Sequence, residues 1–179
     1  MSDGPPTGAT GCPAIAPLLQ WALSVRGVVT QLFGEHAVDY RGYGLIGHNG
    51  IDIAVPGGAR ASADLNLHSP IPGEAWAYDD PQGYGLTVEV WYPHIKDGLY
   101  KVILAHMAGQ WVKTGDMVYA GTILGVMGST GNSTGRHTHL GYKVLAGVNP
   151  GYRNWIDPWP YMVGRPLSPL AGSPEGSGK

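Results

Sequence analysis

Five side chains in this 179-residue sequence have the chemistry to share one metal ion. They are His48 and Asp52 in HNGID, His106 in LAHM, and His137 with His139 in RHTHL. Imidazole nitrogens and a single carboxylate are donors that divalent zinc takes from proteins. Three protein donors leave a coordination position open for chemistry, whereas structural sites are closed by four. With two spare histidines nearby, the set points to a hydrolase.

The spacings bear on how these groups meet. Four residues of extended chain would spread His48 and Asp52 over about 13 Å, too far to share an ion. The intervening Asn49-Gly50 is a strong turn dipeptide, and a bend there brings the two groups together as Asp52 enters the next strand. The spacing differs from the His-x-Asp/Glu pair of mononuclear iron oxygenases. His137 and His139 stand at i and i+2, so in a strand they share a face about 6.7 Å apart at the backbone. One can bind metal while its neighbour stands beside the substrate. The small-residue loop GSTGNSTGR before them leaves room for a tight turn and a bulky ligand. His106 ends the apolar run KVILAHM. Singly, each group has a plainer account as a loop pair, a solvent-facing pair or a rim histidine. The joint order is what carries the metal reading. His36, His68 and His94 lie beside turn signals and read as spectators, with His36 placed to line a cleft.

The elements that must position these groups are strands. Gly (29) and Pro (15) are abundant without a collagen-like period, which marks many turns. Apolar alternation of period two runs through GIDIAVPGG, YGLTVEVWY and GLYKVILAHM, then MVYAGTILGVMGS and HTHLGYKVL, punctuated by PGG, PQGYG, KDG, KTGD and STGNSTG. In GLYKVILAHM the alternation sets Leu99, Lys101 and Ile103 against Tyr100, Val102, Leu104 and His106. The expected fold is mostly β, an antiparallel sheet core with long loops forming a groove. A short helix is expected after Pro17, within residues 14–26, with Leu18, Leu19 and Leu23 on one face. Residues 1–26 read as a partly disordered N-terminal segment, 27–163 as the functional domain, and 164–179 as a flexible tail.

Composition removes several classes. Charged residues are 13% of the chain, net charge is −2, and no Lys/Arg run gives the basic footprint of a nucleic-acid binder. The lone Cys12 excludes an intrachain disulfide and a Cys-rich zinc site. No apolar stretch approaches the roughly 20 residues of a membrane span. The N-terminus lacks the basic and apolar regions of a signal peptide, so synthesis in a cytoplasm and export by another route are expected.

In the order turn-His-x-x-x-Asp-strand, strand-His, Gly/Ser/Thr loop, His-x-His-strand, the sequence resembles the lysostaphin-type zinc metallopeptidases that cut peptidoglycan peptides. The matching stretches are VVTQLFGEH, HNGIDIAVPGGARASA, GYGLTVEV, YKVILAHMAGQWVKTGDMVYAGTILGVMGSTGNSTGRHTHLGYKV and NWIDPWPYM, covering residues 27–163. The resemblance implies His48, Asp52 and His139 as zinc ligands. It implies His106 and His137 as the groups flanking the attacking water. One of these two is expected to act as general base, and Tyr40 or Tyr43, near the first motif, is a separate candidate for a further oxyanion donor. Tyr84, Trp91, Trp111 and Tyr142 are either groove or core. Departures are Leu140-Gly141-Tyr142 where the family has an aromatic residue and a glutamate, Arg136 where a proline is common, and the stretch LNLHSPIPGEAWAYDDPQ between two core strands. The implied activity is a zinc endopeptidase acting on cross-links or stem peptides, as a phage endolysin, held in the host cytoplasm until lysis, or as a tail-associated virion lysin. The alternative is a non-catalytic wall-binding module. The expected partner is a peptidoglycan peptide, and the expected state a monomer.

Overall fold

Period-two alternation with frequent turn residues can bury one face of a strand and leave the other for polar groups. A computed structural model, which describes residues 18–55, 65–92, 100–145 and 149–164, shows that arrangement. Its strands in chain order are β1 (Leu19–Gln20), β2 (Val28–Gln31), β3 (Ile51–Ala54), β4 (Asn66–His68), β5 (Gly73–Asp80), β6 (Gly85–Tyr92), β7 (Tyr100–Gln110), β8 (Met117–Val118), β9 (Ile123–Met127), β10 (Thr138–Val144), β11 (Trp155–Ile156) and β12 (Met162–Val163). Ten of them form one sheet with the central order β2-β3-β10-β7-β6-β5-β8, and β1 pairs with β12. Every pairing in the large sheet is antiparallel. The segment LNLHSPIPGEAWAYDDPQ is part of this sheet, supplying β4 and β5.

The core side of the sheet is a continuous apolar cluster. Ile51 and Ile53 of β3, Val88 and Val90 of β6, Val102 and Leu104 of β7, and Leu140 and Tyr142 of β10 all lie in it, fully buried. Leu67 of β4 and Leu124 and Met127 of β9 belong to the same cluster. The opposite face of β3, β10, β7 and β6 carries Asp52, His139, Lys101 and Glu89. Lys101 and Glu89 form a largely buried pair at 2.7 Å.

Two expectations from spacing need correcting. Among the described residues there is no N-terminal helix. Leu19, Ala22 and Leu23 are buried at helix-like spacing, yet Leu18 is 63% exposed. The backbone here bonds to distant chain: Gln20 N–H to Pro70 O at 2.8 Å, Trp21 N–H to Val163 O at 3.1 Å, and His68 N–H to Ala22 O at 2.8 Å. Tertiary pairing thus overrides the local pattern. Cys12, His94 and most of the expected tail lie outside the described residues.

The second correction concerns the face of His106. Met107 pairs with Leu86 and Leu104 with Val88, so three steps along β7 match two along β6. The extra residue is a β-bulge, and His106 occupies it with φ of 59°. Counting by twos assigns His106 to the core face with Val102 and Leu104. The bulge moves it to the opposite face and returns Met107 to the core.

Candidate metal centre and active site

Strand pairing sets the first contact of the site. His139 on β10 lies directly opposite Asp52 on β3. Both face away from the core because Ile51, Ile53 and Leu140 occupy the alternate positions. His48 enters from the preceding loop. Its backbone N–H donates to Glu35 O at 2.9 Å and its carbonyl accepts from Gly34 N–H at 2.8 Å. The expected bend at Asn49-Gly50 is present. Gly50 is required there: a Cβ would stand 2.4 Å from Leu140 O and 2.7 Å from both Cε1 and Nε2 of His139.

Three donor atoms converge as a result. His48 Nε2 is 2.9 Å from His139 Nδ1 and 3.2 Å from Asp52 Oδ1, and His139 Nδ1 is 3.0 Å from Asp52 Oδ1. The proton inventory of this triangle favours a cation. His48 Nδ1 lies 3.0 Å from Leu32 O, a contact in which the ring nitrogen must donate, so Nε2 of the neutral ring carries a lone pair. That lone pair faces the acceptor-only oxygen of Asp52. At most one proton, on His139 Nδ1, is available to all three. A divalent ion satisfies three lone pairs at once, and the donors match those of zinc. The three residues are grouped within ligand reach of one another, so the donor set fits the metal.

Electrostatics agree. Burial alone would raise the Asp52 carboxyl, but hydrogen bonds and charge from His139 and His48 outweigh it and hold the carboxyl well below its ordinary range. Burial pushes His139 down to about 4, leaving the ring neutral and able to ligate at neutral pH. Among the described residues, the buried His139 Nε2 has no hydrogen-bond partner.

His106 and His137 complete the cluster. Their ring centroids are 4.8 Å apart, and the His106 ring is 6.4 Å from that of His139. The bulged backbone of His106 donates to Tyr84 O at 2.9 Å. His106 Nδ1 donates to Thr130 O at 2.9 Å, which leaves Nε2 as the acceptor of the neutral ring. Burial lowers the His106 pKa, partly offset by that Thr130 contact. His137 Nδ1 lies 2.8 Å from Gly135 O, and its Nε2 lies 3.6 Å from Asp52 Oδ2. All five predicted residues therefore line one cavity, together with Tyr40, Tyr43, Tyr84, Asn49 and the loop residues Asn132, Ser133 and Thr134.

Sequence reading missed the residues that brace the site. Thr130 Oγ1 donates to Met107 O at 2.7 Å and accepts from Leu86 N–H at 3.0 Å, tying the Gly/Ser/Thr loop to both sides of the bulge. Asn49 donates to the Tyr84 hydroxyl at 2.6 Å. Burial raises the Tyr84 phenol to about 12, so it remains protonated. Asn132 Nδ2 reaches the Tyr43 hydroxyl at 3.2 Å, linking two walls of the cavity. Thr130 and Asn132 carry no sequence signal beyond a polar residue in a turn-rich stretch; Asn49, Tyr43 and Tyr84 are marked in the sequence by the turn and by their aromatic character, but not as partners of these bonds. Of the four aromatic candidates, Tyr84 lines the cavity and Tyr142 is core. Trp91 lies under Lys101 at 4.5 Å, and Trp111 is 58% exposed. His36 lines a neighbouring cleft, and His68 bonds to Ser24 and Gly121 O away from the site.

Solved structures of other proteins share this fold. The catalytic domain of EnpA, a prophage-encoded M23 protein of Enterococcus faecalis, is 28% identical, with 74% of this chain and 88% of that one aligned at a TM-score of 0.55. The catalytic domain of the antimicrobial peptidase lysostaphin from Staphylococcus simulans is 26% identical over 73% of this chain and 88% of that one, at a TM-score of 0.58. A zinc-containing peptidase from Vibrio cholerae shares the fold at 22% identity, with 82% of this chain, 41% of that one and a TM-score of 0.55. A comparison with curated proteins finds no match. The sequence profile of Peptidase family M23 matches residues 46–153, which span His48 to His139 and more than half of the chain, so this protein belongs to Peptidase family M23.

Proposed function

We propose that the protein is a zinc-dependent endopeptidase that hydrolyses peptide cross-links or stem peptides of bacterial peptidoglycan. The convergence of His48 Nε2, Asp52 Oδ1 and His139 Nδ1, each pair within 2.9–3.2 Å, carries this reading. Zinc held by these three residues would supply Lewis acidity, polarising a scissile carbonyl and bringing the pKa of water down toward about 7. The chain's own residues account for the remaining work. His106 is arranged as the proton acceptor: its Nδ1–H is spent on Thr130 O, and burial keeps the ring neutral. His137 stands across from it with Nδ1 donating to Gly135 O and Nε2 toward the second Asp52 oxygen; as the imidazolium it would donate from Nε2 to the developing oxyanion or the leaving amine. The Tyr84 hydroxyl, which already accepts from Asn49, has its own proton free to donate into the cavity. Asn49 and Leu32 O orient Tyr84 and His48.

The intact five-residue cluster favours an enzyme over a wall-binding module. The likeness to the prophage-encoded EnpA domain supports a phage-associated lysin acting on the cell wall. Isolated walls of defined peptide chemistry, incubated with the purified protein, test the reading. Mass spectrometry should show new amino and carboxyl termini within the peptide moiety, abolished by chelator and restored by zinc. Wall lysis that survives metal removal, or fragments cut only in the glycan, would overturn it.

A further inference from the structure

A second cleft adjoins the catalytic cavity and shares Tyr43, Leu45 and Tyr84 with it. Its remaining lining includes Arg41, Lys143, Arg153 and Trp155. Three cations in one cleft are a concentration for a chain with 11 Lys and Arg in 179 residues. Arg41 is already neutralised by a two-point contact, Nε to Asp39 Oδ1 and Nη2 to Asp39 Oδ2, each 2.9 Å. Lys143 and Arg153 have no carboxylate partner among the described residues. Glu89, whose charge reaches Lys143, is held by Lys101 at 2.7 Å.

The fold holds these two cations in place despite their repulsion. Lys143 faces the site side of β10, two alternations beyond His139, with Nζ 5.3 Å from the Trp155 ring centroid. Arg153 sits in a turn with consecutive left-handed non-glycine residues, φ of 49° at Arg153 and 68° at Asn154. Such backbone persists only where its surroundings over-determine it, and it gathers at binding sites. Here Asn154 N–H bonds to Asn149 O at 2.7 Å, Val144 N–H to Asn154 O at 2.9 Å, and Asn149 Nδ2 to Trp155 O at 3.1 Å. The guanidinium lies against Gly44, where a Cβ would come within 3.0 Å of Nη2. Burial, Lys101 and Arg153 together lower the Lys143 pKa, as expected of a cation with too little negative charge around it.

We propose that Lys143 and Arg153 form a subsite for a carboxylate carried by the peptide substrate, beside the hydrolytic centre. The proposal rests on the endopeptidase reading and narrows it. The preferred substrate is a peptide with a free carboxylate near the scissile bond, not an uncharged bridge. A guanidinium takes a carboxylate through two parallel N–H bonds, and the lysine adds a point charge. The carboxylate has two possible sources, the α-carboxylate that ends a stem peptide and the side-chain carboxylate of a dicarboxylic residue.

Three synthetic peptides of one sequence separate these sources: free α-carboxylate only, free side-chain carboxylate only, and both amidated. Binding by calorimetry and kcat/KM by mass spectrometry are read on the zinc-loaded wild type, Lys143→Gln and Arg153→Gln. One carboxylate form should exceed the doubly amidated peptide by about tenfold, mostly in KM, as a charge-assisted contact at a partly exposed site allows. Each substitution should remove that preference while zinc content and cleavage of the amidated peptide stay unchanged. Equal binding of all three peptides, or a preference that survives both substitutions, would overturn the subsite. Hydrolysis without preference refutes the subsite and leaves the endopeptidase reading intact. A carboxylate preference in binding, lost in Arg153→Gln without hydrolysis of any peptide, does the reverse.

Discussion

Gly50→Ala isolates the packing that shapes the proposed metal centre, because none of the proposed ligands is touched. Gly50 has an ordinary backbone conformation, so alanine meets no dihedral penalty there. The effect is steric. The new methyl would start 2.4 Å from Leu140 O and 2.7 Å from the His139 ring, against ordinary contacts of 3.4–4 Å. Relief requires a displacement of about 1 Å, shared between the β3 entry and β10, whereas metal–ligand distances tolerate about 0.2 Å. Disturbing what orients a ligand typically costs 10–100-fold in metal affinity, or about 1.4–2.7 kcal/mol. Overpacking adds roughly 1–3 kcal/mol of destabilisation. Zinc affinity would be measured by competition with a chromophoric chelator, alongside thermal melts of the zinc-free protein. Gly42→Ala serves as control, since a Cβ there meets nothing within 4 Å. A folded Gly50→Ala protein that binds zinc within twofold of wild type would refute the reasoning that close packing at Gly50 sets the position of His139.

Further expectations concern the scaffold and pH. Thr130→Val removes the donor to Met107 O and the acceptor for Leu86 N–H. It should cost about 1–3 kcal/mol in urea unfolding and lower kcat while zinc content is retained; an unchanged kcat would show that the loop does not brace His106. Lys101→Met strands Glu89 beside Tyr78, whose hydroxyl reaches it at 3.1 Å. It should destabilise by about 3 kcal/mol, and adding Glu89→Gln should recover much of the loss; additive losses in the double variant would show that the pair is uncoupled. The zinc-free protein should weaken in acid through His139. Its native pKa of about 4 lies below the 6.5 of an ordinary histidine, so the unfolded chain binds the extra proton. That contribution is intact above pH 6.5 and is lost as pH falls from 6.5 through about 4. Urea unfolding at pH 7 and pH 4.5 should show the lower stability at pH 4.5, and equal or higher stability there would contradict the burial argument.

Legibility in the sequence divides along physical lines. Alternation in β3, β6 and β10 translated directly into one core face and one site face. The Asn49-Gly50 bend and the i, i+2 histidines also follow from local geometry. Non-local pairing was hidden. Leu19, Ala22 and Leu23 carry helical spacing, but the backbone between them, at Gln20, Trp21 and Ala22, is claimed by Pro70, Val163 and His68, far along the chain. His106 was identified but placed on the wrong face, because one bulged residue inverts a count by twos and leaves no mark in composition. The bracing by Thr130 was illegible for a related reason. Its partners Met107 and Leu86 belong to β7 and β6, brought beside the loop only by the pairing of those strands. Tyr142 looked as suited to a groove as Tyr84; the register of β10, with His139 facing the site, sends Tyr142 the other way.

The central claim is the division of five residues into three that hold zinc and two that act beside it. Metal analysis of purified His139→Ala and His106→Ala tests it most directly. His106→Ala should retain about one zinc per chain and lose peptide hydrolysis by roughly 10²–10⁴-fold, whereas His139→Ala should lose the metal. Zinc retained in His139→Ala, or lost in His106→Ala, would contradict the account.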